Sequence, residues 1–124
     1  MSDGGGASAG RVTGLGGVFF RARDPDKLKA WYERALGVPP EDLMRSDGLV
    51  FGIFDADTDY FGPSGQGFMV NFRVASLEAT LVRLREAGAD VDEQTQEQDG
   101  IGRFGWATDP EGNRFELWEP AEDM

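Results

Sequence analysis

Hydrophobic and polar positions alternate over Leu15–Arg23 (LGGVFFRAR). Val18, Phe20 and Ala22 fall on one side and Gly17, Phe19, Arg21 and Arg23 on the other, which fits a strand buried on both faces. The period then lengthens. Leu28, Trp31, Tyr32, Ala35 and Leu36 recur at helical spacing, so a helix is expected with Trp31 and Tyr32 packing towards a sheet. Asp24-Pro25 supplies its start, an oxygen acceptor followed by a residue with pre-set φ and no N–H, and Gly37 supplies its stop. Pro39-Pro40 prevents continuation.

From Glu41 to Gly67 the pattern weakens. One strand is legible, Leu49–Phe54, between turn-forming residues at Ser46–Gly48 and Gly62–Gly67. Phe68–Val74 (FMVNFRV) is again a strand, Ser76 a helix cap, and Leu77, Leu81, Leu84 and Ala87 the stripe of a helix stopping at Gly88. Val91–Thr95 extends as a further strand, and polar Gln94–Gly100 reads as a loop. Arg103–Ala107 and Arg114–Trp118 are aromatic-rich arms of a hairpin around Asp-Pro-Glu-Gly-Asn. A loop over Asp109–Gly112 would set Gly105 opposite Glu116 and Arg103 opposite Trp118, leaving open space before the carboxylate.

Two stretches match each other, VFFRARDPDKLKAWYERALG and VNFRVASLEATLVRLREAG, each reading strand, cap, helix, glycine. Phe20-Arg21 recurs 52 residues later as Phe72-Arg73. A supersecondary unit used twice about a pseudo-two-fold axis follows. Neither copy can cover its own sheet, so one domain is expected over 15–119, with repeats 15–66 and 67–119, a flexible tail over 1–14 and a short tail over 120–124.

Composition narrows the chemistry. The chain has 124 residues, 12 basic and 23 acidic side chains, and a net charge of −11. That charge speaks against nucleic acid and anionic membranes as partners and favours cationic ligands. There is no histidine and no cysteine, which removes the commonest general base, thiol nucleophiles and thiolate metal sites. No basic start followed by an apolar run opens the chain, and no run approaches the roughly 18 apolar residues of a membrane span, so a cytoplasmic protein is expected. Asp55, Asp57 and Asp59 alternate without the spacing of a calcium loop and read as solvated.

Taken together, the strand, the DP-capped helix bearing WY and ending in LG, its repeat, and the final DPEGNRFEL hairpin resemble the vicinal oxygen chelate superfamily of glyoxalase I, bleomycin-resistance proteins and extradiol dioxygenases. The resemblance implies an α+β fold in which two βαβββ units form a curved mixed sheet around a cup. It also implies a homodimer and, in enzymes of the group, a divalent metal held by His, Gln or Glu. Carried over by position, those ligands fall at Gly17, Met69 and Glu116, and Glu116 alone keeps a ligand-type side chain. No cofactor is therefore expected, and a divalent-metal enzyme of glyoxalase or dioxygenase type is the least supported reading.

In this fold the ligand phase of each strand faces the cup, which assigns Phe19, Arg21, Asn71, Arg73, Glu116 and Trp118 to it, with Arg103 added by the hairpin partner. Two functions follow. One is a protein that holds an aromatic, cationic or carbonyl small molecule without a transition metal. The other is an enzyme of lyase, isomerase or proton-transfer type, with Glu116 as base and Arg21 and Arg73 as oxyanion stabilisers. Against the second stands an Arg–Glu–Arg network that only neutralises itself.

Overall fold

The computed structural model describes residues 10–38, 43–44 and 49–121. Most of the expected tail over 1–14, the Pro39-Pro40 stop, the Ser46–Gly48 turn and residues 122–124 lie outside the described residues. In chain order the elements are β1 (Val12–Ala22), α1 (Pro25–Leu36), β2 (Leu43–Met44), β3 (Leu49–Asp55) and β4 (Phe68–Val74). There follow α2 (Leu77–Glu86), β5 (Asp90–Val91), β6 (Gln96–Gln98), β7 (Gly102–Thr108) and β8 (Arg114–Pro120). β1 thus opens at Val12, inside the stretch expected to be tail.

Among the described residues the strands make one eight-stranded sheet in the order β2-β3-β1-β4-β8-β7-β5, with β6 added along β7. β1 and β4 run antiparallel down its centre, with Gly17 beside Asn71 and Phe19 beside Met69. Each has a parallel neighbour on its far side, β3 beside β1 and β8 beside β4. This symmetric order is what two copies of one unit give about a two-fold axis at the β1/β4 seam. The result is the α+β cup fold, with one departure. β3 corresponds to β8 and β2 to β7, so among the described residues no strand of the first unit corresponds to β5, and the segment Ala56–Gly67 follows β3 as the link to the second unit.

The two helices cap as their sequences require but pack differently. Asp24 accepts the Lys27 N–H at 3.1 Å, and Gly37 ends α1 at φ 74°, a left-handed conformation that disfavours any residue with a Cβ. Tyr32 packs edge-on against Phe51, which does the same against Phe20. Trp31, in contrast, is half exposed at 48 %. Adjacent helical positions lie about 100° apart, so the narrow sheet contact takes Tyr32 and leaves its neighbour out, correcting the expectation that both pack inward.

Ser76 caps α2 by accepting the Ala79 N–H at 3.1 Å, and the Glu119 carboxylate reaches from β8 to accept the Leu77 N–H at 2.7 Å. Leu77 and Leu81 then bury against Val74 and Leu117, with Phe72, Leu84, Val91 and Phe115 around them. This is the core beneath the sheet. Two local expectations are corrected nearby. Gln96–Gln98 lies in the stretch expected to be loop but pairs with Gly102–Phe104 as an edge strand, and of the expected strand Val91–Thr95 only Val91 is in the sheet, in Asp90–Val91.

The final hairpin also differs by one residue. Its loop is Asp109–Asn113, not Asp109–Gly112, because the Asp109 side chain accepts the N–H groups of Glu111 and Asn113 and its own N–H reaches the Asn113 carbonyl. Glu116 consequently faces Trp106, Trp118 faces Phe104, and Arg103 faces Glu119. A one-residue slip exchanges the faces of a strand. Gly105 therefore lies on the outer side, where a Cβ would meet Leu77 Cδ1 at 3.1 Å, so the missing side chain makes room for α2 and not for a ligand.

Candidate functional site: a buried carboxylate at the base of the cup

On the inner face Phe19, Met69, Trp106 and Phe61 form a second buried cluster, with Val50, Phe54, Tyr60 and Phe104 packed against it. Tyr60 and Phe61 come from Ala56–Gly67, which folds over this face. Three contacts hold it there. Arg21 donates from Nε to the Gln66 carbonyl (2.7 Å) and from one terminal nitrogen to the carbonyls of Ala56 (2.8 Å) and Thr58 (2.7 Å), with its guanidinium over the Phe61 ring. Gln66 pairs with β8 as a strand residue would, accepting the Arg114 N–H and donating to the Arg114 carbonyl, both at 2.8 Å. Arg114 in turn donates to the Tyr60 carbonyl at 3.2 Å and to Asp92 at 2.9 Å.

The folded segment delivers the Tyr60 hydroxyl to Glu116. That carboxylate is 1 % exposed, and three donors surround it. Oε2 accepts from the Tyr60 hydroxyl and from Trp106 Nε1 at 3.0 Å, while Oε1 accepts from Asn71 Nδ2 at 2.5 Å. Loss of water around the group raises its pKa above the ordinary carboxylate range, and the bonds from Tyr60, Asn71 and Trp106 oppose that shift. Burial, followed by the negative Glu116, pushes the Tyr60 phenol far up, so it remains a proton donor at any physiological pH.

Next to this group lies a cavity of about 360 Å³. It is lined by the polar residues Glu116, Tyr60, Asn71 and Gln98 and by the apolar residues Phe19, Val50, Ile101, Phe104 and Trp118. Phe104 and Trp118 lie parallel with centroids 6.1 Å apart, and Trp118 Nε1 donates to the Ile101 carbonyl at 2.9 Å, which fixes the indole. A larger groove of about 560 Å³, beside Arg23, Lys27 and Trp31, is shallow and open, without a comparable buried group. Enclosure together with a buried carboxylate selects the cup as the candidate site.

Of the residues assigned from sequence, the cavity brings together Phe19, Asn71, Glu116 and Trp118. The three arginines lie elsewhere. Arg21 has the expected strand phase, but the Ala56–Gly67 segment covers it and takes its donors. Arg73 lies with its guanidinium 5.1 Å over the Trp118 ring and is not among the residues lining the cavity. Arg103 is exposed beside Glu119 at 3.9 Å, as the one-residue register difference requires. Sequence reasoning missed Tyr60, whose signal was an aromatic pair, Tyr60-Phe61, inside a run otherwise made of turn formers and acids.

The superfamily's metal does not fit the residues present. At Gly17 a Cβ would lie 2.3 Å from the Val50 carbonyl oxygen, so no liganding side chain can stand there. Met69 is 1 % exposed within the aromatic cluster, and Tyr60, Asn71 and Trp106 turn N–H and O–H groups towards Glu116. Among the described residues no group of three or more His, Cys, Asp or Glu side chains is arranged to hold a metal.

Comparison with known proteins agrees with the architecture. Similar solved structures include a methylmalonyl-CoA epimerase from Mycobacterium tuberculosis, 23 % identical, with 90 % of this chain and 91 % of that one covered at a TM-score of 0.65. Another is the Streptomyces coelicolor methylmalonyl-CoA epimerase in complex with 2-nitronate-propionyl-CoA, at 17 % identity, 90 % and 99 % coverage and a TM-score of 0.64. A third is described as an NAD-dependent benzaldehyde dehydrogenase from Legionella pneumophila, at 18 % identity, 85 % and 98 % coverage and a TM-score of 0.59. Likeness at these identities shows the fold. No curated protein matches significantly. Residues 17–118 match the family described as Glyoxalase-like domain, and the chain belongs to that family, within the vicinal oxygen chelate superfamily.

Proposed function

We propose that this chain binds a small organic molecule with a flat apolar body in the cup, and that binding needs no transition metal. One observation carries the reading. The cavity is walled by Phe19, Val50, Phe104 and Trp118 and ends on the buried Glu116, so burial of a ring against the walls can drive binding while a single polar group orients it. Removal of Arg21 and Arg73 from the cavity wall takes away the oxyanion stabilisers that the enzymatic alternative requires, which favours binding over proton-transfer catalysis.

The three tryptophans provide the test. Trp118 lines the cavity and Trp106 donates to Glu116, whereas Trp31 lies beside the open groove. Titration of the protein with benzamide in the presence of EDTA, followed by the indole N–H signals, should move Trp106 and Trp118 and leave Trp31 in place. Movement of Trp31 alone, or of none, would contradict a binding cup. Abolition of the response by EDTA would contradict metal independence.

A further inference from the structure

We infer that the ligand of the cup is an organic cation, an amine or amidine whose N–H groups donate to Glu116 Oε1 and Asn71 Oδ1. The inference rests on the binding reading above and names the chemical class that the cavity selects.

The acceptor supply is the first argument. Asn71 is 2 % exposed and uses its Nδ2 on Glu116, while its Oδ1 is buried without a hydrogen-bond partner. A buried carbonyl oxygen left unpaired is costly, so a donor that reaches it gains more than a donor in water does. Glycine makes room for this oxygen, because a Cβ on Gly16 would stand 2.0 Å from it. Beside it, Glu116 Oε1 accepts one bond where a carboxylate oxygen can accept two, whereas Oε2 already accepts from both Tyr60 and Trp106. Two neighbouring acceptors with capacity to spare call for a ligand with two N–H donors.

Charge is the second argument. No lysine or arginine stands among the described residues lining the cavity. The cation that acts on Glu116 from nearby, Arg114, is engaged by Asp92 at 2.9 Å. Burial disfavours the ionised form of Glu116, so a cation placed against it and ionisation of the carboxyl promote each other. The ring of Phe19 adds a favourable face for a cation, and the net charge of −11 draws cations to the protein from solution. A carboxylate or enolate ligand would meet the reverse of every one of these effects.

The experiment compares benzamidinium, benzamide and benzoate, three probes of one shape and different charge, by the same indole signals at about 0.5 M salt to screen the general field of the protein. Benzamidinium should bind about tenfold more tightly than benzamide, as a charge-assisted pair in place of a neutral one implies, and benzoate weakest. In Glu116→Gln benzamidinium should fall to the level of benzamide. That variant keeps the packing, since its oxygen can still accept from Tyr60 and Trp106 and its amide can donate to Asn71 Oδ1 once the Asn71 amide turns over. If it fails to fold, the ranking in the wild type decides alone. Equal binding of benzamide and benzamidinium, a preference for benzoate, or a cation preference that survives in Glu116→Gln would overturn the inference and leave the cup as a binding site. Binding of none of the three would overturn both.

Discussion

The two repeats share one strand-helix plan but do different work. In the second, α2 buries Leu77, Thr80 and Leu81 and seals the core under the sheet, whereas α1 of the first contains no buried residue. The first instead spends its side chains on the cup, through Arg21 and the segment it clamps. The repeat-related pair shows the same division: Arg21 holds three backbone carbonyls, and Arg73 lies over an indole. The second unit supplies the core and most of the cavity wall, and the first closes the site with Tyr60 and the segment that Arg21 clamps.

That division should be most visible in truncations of the helices. Leu77 is fully buried, and Leu77→Ala should cost about 3 kcal/mol of unfolding free energy through lost burial and the cavity left behind. Leu36 at the end of α1 is 71 % exposed, and Leu36→Ala should change stability by less than about 0.5 kcal/mol. Urea denaturation measures both, and equal losses would end the claim that the halves differ. The next largest effect is expected at Arg21. Arg21→Lys keeps the charge but loses the fork that spans three carbonyls, at a cost of about 2 kcal/mol. Proteolytic cleavage should then appear within Ala56–Gly67, and cleavage elsewhere would show that the clamp does not hold this segment.

The same difference explains what the sequence disclosed. Where alternation was strong, the face beneath the sheet was legible at Val74 and Leu117, which are buried, and at Phe72 and Phe115, which pack against them, whereas Val18, Phe20 and Val70 are only partly buried. Helix starts were legible too, since Asp24 and Ser76 answer a local need for acceptors. Gln96–Gln98 was not, because an exposed edge strand takes its place from backbone pairing to β7 and has no apolar pattern to show. The hairpin register turned on one loop residue, Asn113, whose backbone bonds to Asp109 no propensity reveals. Tyr60 reaches Glu116 across 56 residues from an irregular segment, and such a contact has no period at all.

Glu116 allows the two halves to be compared through pH. Its carboxyl is held above its ordinary value of 4.5 by burial, so the fold retains a proton that the unfolded chain gives up. The stabilisation is complete below about pH 4.5 and is lost as pH rises through the raised folded value, by about 1.4 kcal/mol for each tenfold difference in proton affinity between the folded and unfolded chains. Asp109 acts in the opposite direction: the Asn113 bonds lower its pKa from 3.8, so its contribution is present above that value and falls away in acid. The windows do not overlap. Wild-type stability should therefore decline above pH 4.5 relative to Glu116→Gln, whose amide does not titrate, and parallel stability curves for the two proteins would remove the case for a strained buried acid.

The smallest effect isolates the contact between the halves. Tyr60→Phe deletes one hydroxyl that donates to Glu116 Oε2 and leaves the ring stacked on Phe54 and edge-on to Phe19 and Trp106. The loss of one hydrogen bond to a buried acceptor should cost about 1 kcal/mol near neutral pH. It should also have a direction in pH. With one donor to its ionised form removed, Glu116 is held still higher, so the decline with rising pH reaches further up the scale than in the wild type. In the Glu116→Gln background the hydroxyl still donates to an oxygen, but nothing titrates, and Tyr60→Phe should lower stability evenly across pH. A pH-dependent loss in that background would mean that the phenol acts on some other group, and that the first repeat does not govern the carboxylate of the second.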